Sequence, residues 1–172
     1  MKEQELERTF LPAALPDDLS ESRHRTIDDL YIPDSEPHPI VRVRAADGAY
    51  EITKKVTSPT DSSVRTEETI PLSESEYRAL SSISGKRLIK TRYYYERDGR
   101  EYEFGVYGGD LQGLVLIDVE FATLEEVSKF QPPDFLGQEV TGKKFLRGGE
   151  LAGKSYVDIE AGLTELGYQK IT

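Results

Sequence analysis

Charged residues in this chain recur in pairs two positions apart, inside short runs that otherwise alternate polar and apolar. In an extended strand residues i and i+2 share a face, so such pairs load one side of a sheet with charge. Glu5 lies with Glu7, Arg42 with Arg44, Arg65 with Glu67, Lys90 with Arg92, and Asp118 with Glu120. Lys55 shares a face with Thr53, and Glu103 with Gly105. The opposite faces carry Val41 and Val43, Ile52 and Val56, and Ile117, Val119 and Phe121. An ordinary sheet with one solvated face gives the same alternation. A solvated face, however, is usually rich in Ser, Thr, Gln and scattered Lys, whereas these faces concentrate Glu and Arg. The second possibility is a sheet curled so that the charged faces converge inward.

The alternating runs lie near 4–11, 27–32, 39–45, 49–57, 64–71, 86–96, 100–108 and 113–121. Asp47-Gly48 and Asp98-Gly99 separate two pairs of them, and Asp-Gly suits the positive φ angles of tight hairpins. Ser73, with Glu76 three residues on, marks the start of a helix in SESEYRALSSI, and Thr123 caps LEEVSKF before Pro132-Pro133. The stretch from Pro12 to Arg25 reads as a loop, and a short helix is expected near 157–166. Eight strands with few helices predict a mainly β fold with flanking helices (α+β), a closed antiparallel barrel or a sandwich. The 172 residues suit a single domain spanning 1–172, with 154–172 as a C-terminal extension.

Composition removes whole classes of chemistry. There is no cysteine, so thiol nucleophiles, thiolate metal sites and disulfides are excluded. His24 and His38 are the two histidines, too few for a His-rich metal centre, and a Ser-His-Asp triad is not expected. A net charge of -10 argues against non-specific nucleic-acid binding. No run reaches the roughly 18 apolar residues of a membrane span, and a cytoplasmic location is expected.

An inward charged face is costly unless its ions are paired or occupied. Glu5, Glu7, Glu67, Glu103, Asp118 and Glu120 stand against Arg42, Arg44, Lys55, Arg65, Lys90 and Arg92. Carboxylates in that number suit hard cations such as Mg²⁺ or Mn²⁺, and Arg and Lys suit phosphate oxygens. Together they describe a site for a metal-chelated polyphosphate.

The ordered segments also resemble a known family. ELERTFL is similar to the N-terminal Glu-x-Glu-x-Lys signature of the CYTH superfamily, the triphosphate tunnel metalloenzymes. VRVRAADGAYEITKK, VRTEETIPLSESEY, KRLIKTRYYY, YEFGVYGGDLQGLVLIDVEF and EVTGKKFLRGGELA follow in the family's order, over roughly residues 3–153. The resemblance implies an eight-stranded antiparallel closed barrel that binds triphosphate. It implies metal ligands at Glu5, Glu7, Glu67, Asp118 and Glu120, and phosphate-binding residues at Arg42, Arg44, Lys55, Arg65, Lys90 and Arg92. Lys144 and Arg147 match basic residues near the tunnel mouth. Tyr31 matches a tunnel tyrosine that orients water, with packing as the plain alternative.

The implied activity is Mg²⁺- or Mn²⁺-dependent hydrolysis of inorganic triphosphate or a small organic triphosphate, with Glu7 and Tyr31 at the chemistry. A non-catalytic module binding polyphosphate or nucleotide is the alternative, and an adenylyl cyclase a lesser one. The expected ligand is triphosphate or a nucleoside triphosphate, with no nucleic-acid or membrane partner, on a monomer or homodimer. Three positions depart from the family pattern: Thr9 replaces the signature lysine, Thr69 an expected Glu, and Gly105 an expected acid.

Overall fold

The computed structural model describes residues 2–58, 60 and 64–171, with the side chains of 2–5, 57, 64 and 65 left outside the description. Nine strands dominate: β1 (Lys2–Pro12), β2 (Arg23–Ile32), β3 (Val41–Ala46), β4 (Ala49–Thr57), β5 (Val64–Leu72), β6 (Lys86–Arg97), β7 (Arg100–Tyr107), β8 (Val115–Phe121) and β9 (Leu136–Glu139). Among the described residues four α-helices flank them: α1 (Glu74–Leu80), α2 (Leu124–Lys129), α3 (Gly148–Leu151) and α4 (Tyr156–Glu165).

Local chemistry sets most of these boundaries. Asp47 and Gly48 both take positive φ, as do Asp98 and Gly99, so β3–β4 and β6–β7 are tight hairpins. Ser73 caps α1 reciprocally: its hydroxyl accepts from the Glu76 amide at 3.3 Å, while its own amide donates to the Glu76 carboxylate at 2.7 Å. β2 begins at Arg23, inside the stretch expected to be a loop.

All pairings are antiparallel, in the order β5-β4-β3-β2-β6-β7-β8-β1-β9. The expected eight-stranded closed barrel is therefore corrected to a nine-stranded sheet, and the sheet is not a barrel closed along its length. β1 divides its pairing, with residues 2–6 along β5 and residues 6–10 along β8, so that Leu6 alone is registered with both. The added strand, β9, pairs with the end of β1 through Phe10 and Pro12 across an irregular register. Four residues with a single aliphatic side chain, LGQE, give too little alternation to be seen in sequence.

Two apolar clusters fix the sheet. On its outer face Phe10, Phe104, Ile117 and Val119 pack with Leu19 and Phe135 from the connections. On its inner face Leu11, Tyr31, Leu88, Tyr107 and Leu116 meet Leu151, Tyr156, Ile159 and Leu163 from the C-terminal helices. The segment expected as a C-terminal extension is thus part of the core. It fills the apolar end of the sheet's concave side and leaves the charged rungs beside it.

Candidate active site

Beside that apolar plug lies a cavity of about 320 Å³, walled by side chains from β1, β2, β3, β4, β6, β7 and β8 and by residues 140–150. Its basic lining residues are Arg42, Arg44, Lys55, Lys90, Arg92, Lys143 and Arg147, against the acids Glu7, Asp29, Asp118 and Glu150. Seven cations thus face four anions in a chain whose net charge is -10. The alternation of strand faces explains the concentration: directly paired residues share a face, so the inward positions of successive strands form continuous rungs.

One rung joins Asp29 of β2 to Arg44 of β3. The Arg44 guanidinium donates to both Asp29 oxygens, from Nε at 2.7 Å and from Nη2 at 2.9 Å. Arg42 Nε stands 3.8 Å from the same carboxylate. Burial drives the Asp29 pKa upward, but the hydrogen bonds and charge of Arg44, backed by Arg42 and Lys90, outweigh it and hold the carboxyl below its usual range.

A second rung joins Thr9 of β1 to Asp118 of β8. The Thr9 hydroxyl donates to Asp118 Oδ1 at 2.8 Å and lies 3.5 Å from Glu7 Oε1. Burial and the neighbouring Glu7 charge push the Asp118 pKa up, against the pull of Lys90 and Arg92. Lys55 bridges Glu7 and Glu67, at 3.4 Å from each. The Thr69 hydroxyl donates to Glu67 at 3.0 Å. Arg92 is paired with Glu103 at 2.6 Å.

Lys90 is buried at the centre of the basic set, and burial, with the charges of Arg92 and Arg44, lowers its pKa to about 8. Gly105 lies against it: a Cβ there would meet Lys90 Cδ at 3.4 Å and Nζ at 3.6 Å, ordinary van der Waals contact. Burial and the Asp29 charge raise the Tyr31 pKa, so its hydroxyl stays protonated at neutral pH.

The structure brings Glu7, Tyr31, Arg42, Arg44, Lys55, Lys90, Arg92, Asp118 and Arg147 to one cavity. Glu67 stands behind Lys55. Glu120 is exposed and lies beside Arg100, Glu101 and Glu103 in a separate shallow depression. Lys144 is exposed, and its neighbour Lys143 lines the cavity instead. The side chains of Glu5 and Arg65 lie outside the described residues. Sequence reading missed Asp29, although the rule that placed the other charges would have found it two positions before Tyr31.

Among the described residues, no three metal-ligating side chains converge. Glu7 and Asp118 do fit a cation as a pair: both are buried or half-buried carboxylates, both approach one hydroxyl, and their charges repel. A hard cation between them would take its other oxygens from ligand and water, as Mg²⁺ commonly does.

No family model matches the chain. It is 31% identical over 150 residues to the inorganic triphosphatase of Nitrosomonas europaea, covering 86% of this chain and 96% of that protein. It is 34% identical over 103 residues to the inorganic triphosphatase of Acetivibrio thermocellus, covering 59% of this chain and 64% of that one. A solved inorganic triphosphatase superposes with a TM-score of 0.63 at 28% identity, over 87% of this chain and 95% of the other. A protein from Pyrococcus horikoshii, at 15% identity and a TM-score of 0.51 over 96% of this chain and 92% of its own, shares the fold.

Proposed function

The chain belongs to the CYTH, or triphosphate tunnel metalloenzyme, family, and on that premise we propose that it hydrolyses a phosphoanhydride bond of inorganic triphosphate or a small organic triphosphate, with Mg²⁺ or Mn²⁺. The carrying observation is that seven cationic side chains line one cavity of an acidic protein. Arg and Lys so gathered suit the oxygens of a polyanion, while Glu51, Glu67 and Glu103 stand 2.6–3.8 Å from four of them.

Arg42, Lys55, Lys90 and Arg92, with the unused N–H groups of Arg44, would hold phosphate oxygens and align the chain for attack by water. Lys143 and Arg147 would close on the same anion from the C-terminal segment. Glu7 and Asp118 would hold the metal, with Glu67 keeping Lys55 in place. A bound divalent cation supplies charge neutralisation and polarises phosphoryl oxygens. Tyr31, protonated and facing the cavity, would donate a hydrogen bond that orients the attacking water. The new P–O bond forms as the bridging P–O bond breaks, and the water proton passes to Glu7. We also propose a cytoplasmic setting, which suits a chain without cysteine, and action as a single domain.

A module that binds without turnover is the second reading, and Thr9 in place of the signature lysine favours it. Phosphate release from tripolyphosphate and from ATP, with Mg²⁺ or Mn²⁺ in turn, tests both readings. Metal-dependent release that Glu7→Gln reduces at least 100-fold is the expected result. No release from folded protein whose Tm still rises with tripolyphosphate would overturn hydrolysis in favour of binding.

A further inference from the structure

Asp29 presents a physical contradiction. A cavity rich in cations for a polyanion holds, within its wall, a carboxylate that is 1% exposed and carries a depressed pKa. A negative charge there weakens attraction for any phosphate. Its contacts show what is gained. Asp29 engages Nε and Nη2 of Arg44 in a two-point bond and stands 3.8 Å from Arg42 Nε. The Arg42 Nε is buried and makes no hydrogen bond among the described residues. A guanidinium has five N–H donors in one plane, so fixing two of them fixes the direction of the rest. With Asp29 locked opposite Arg44 on the neighbouring strand, the Nη1 edge of Arg44 is held in one orientation toward the cavity, with Glu51 Oε1 3.8 Å from Nη1.

We propose that Asp29 is a positioning residue that aligns the Arg44 fork, and through it the phosphate chain, at the expense of ground-state affinity. This rests on the triphosphatase reading. A purely structural role, neutralising a buried arginine, makes a different forecast: loss of Asp29 would lower Tm and the active fraction, and leave KM unchanged.

The test is Asp29→Asn, which keeps the shape and one acceptor and removes the charge. Metal-free binding of tripolyphosphate by calorimetry and steady-state hydrolysis with Mg²⁺ are both measured. The expected result is a split, with Kd and KM at least threefold lower and kcat at least tenfold lower, because small misplacements of a reacting group are costly. Unchanged kcat in a folded variant, or a fall in kcat with KM and Kd unchanged, overturns the inference. Should Asp29→Asn fail to fold, Arg44→Lys carries the test: it keeps the charge and loses the fork, and kcat within twofold of wild type overturns the inference. A wild-type protein that shows no turnover overturns the enzyme reading and this inference with it. Wild-type turnover alongside an unaffected variant overturns the role of Asp29 alone.

Discussion

Thr9 and Asp118 face each other across the β1–β8 ladder, and the threonine hydroxyl donates to the aspartate carboxylate at 2.8 Å. Thr9 is where the family signature places a lysine. A hydroxyl carries one proton and no charge, so it ties Asp118 down without cancelling the repulsion between Asp118 and Glu7.

Thr9→Val preserves shape and removes that donor. Asp118 then loses a partner in a buried setting, a change that costs about 1–3 kcal/mol. Urea denaturation should show a loss of that size, with kcat falling as the carboxylate pair loses its fixed geometry. Stability within about 0.5 kcal/mol of wild type, the usual range for inert surface changes, would show that the hydroxyl does not hold Asp118.

Lys90 makes stability and binding move in opposite directions with pH. It titrates near 8 in the folded protein, against an ordinary value of 10.5. Between those values the unfolded chain binds more protons at this residue than the folded one, so its contribution makes stability rise with pH. Over the same window the cavity loses a positive charge and tripolyphosphate binding weakens. Denaturation and calorimetry at several pH values should show both trends, and Lys90→Met should remove both. Parallel profiles for wild type and variant would contradict the assignment.

Gly148 allows the C-terminal segment to press on Tyr31: a Cβ at this position would stand 2.1 Å from the tyrosine oxygen. Gly148→Ala must therefore move either the segment or the ring. Overpacking of this kind costs about 1–3 kcal/mol, and displacement of Tyr31 should also lower kcat. Thermal denaturation with a phosphate-release assay checks both, and an alanine variant equal to wild type in each would separate Tyr31 from the reaction.

The strands, the two Asp-Gly hairpins, the helix caps and the inward charged face were legible in the chain because each depends on neighbours within a few residues. Alternation assigns a face, and the clustering of Glu and Arg on one face indicates an occupied interior. The ordered motifs carried the family. β9 was not legible, since four residues with one aliphatic side chain hold no usable period.

Which charges meet was decided by register, and register belongs to pairs of strands distant in sequence. It put Glu7 and Asp118 around Thr9, and it left Glu120, opposite Glu7 on the same face, at that face's exposed end. It also enlisted Asp29, whose significance lies in being opposite Arg44. The sequence by itself determined the face of each strand and the chemistry of its ligand, because both follow from local period and residue type. The tertiary structure decided the partners, the plugged end and the shape of the sheet, because these follow from pairing between strands and from where the C-terminal helices bury Leu151, Ile159 and Leu163.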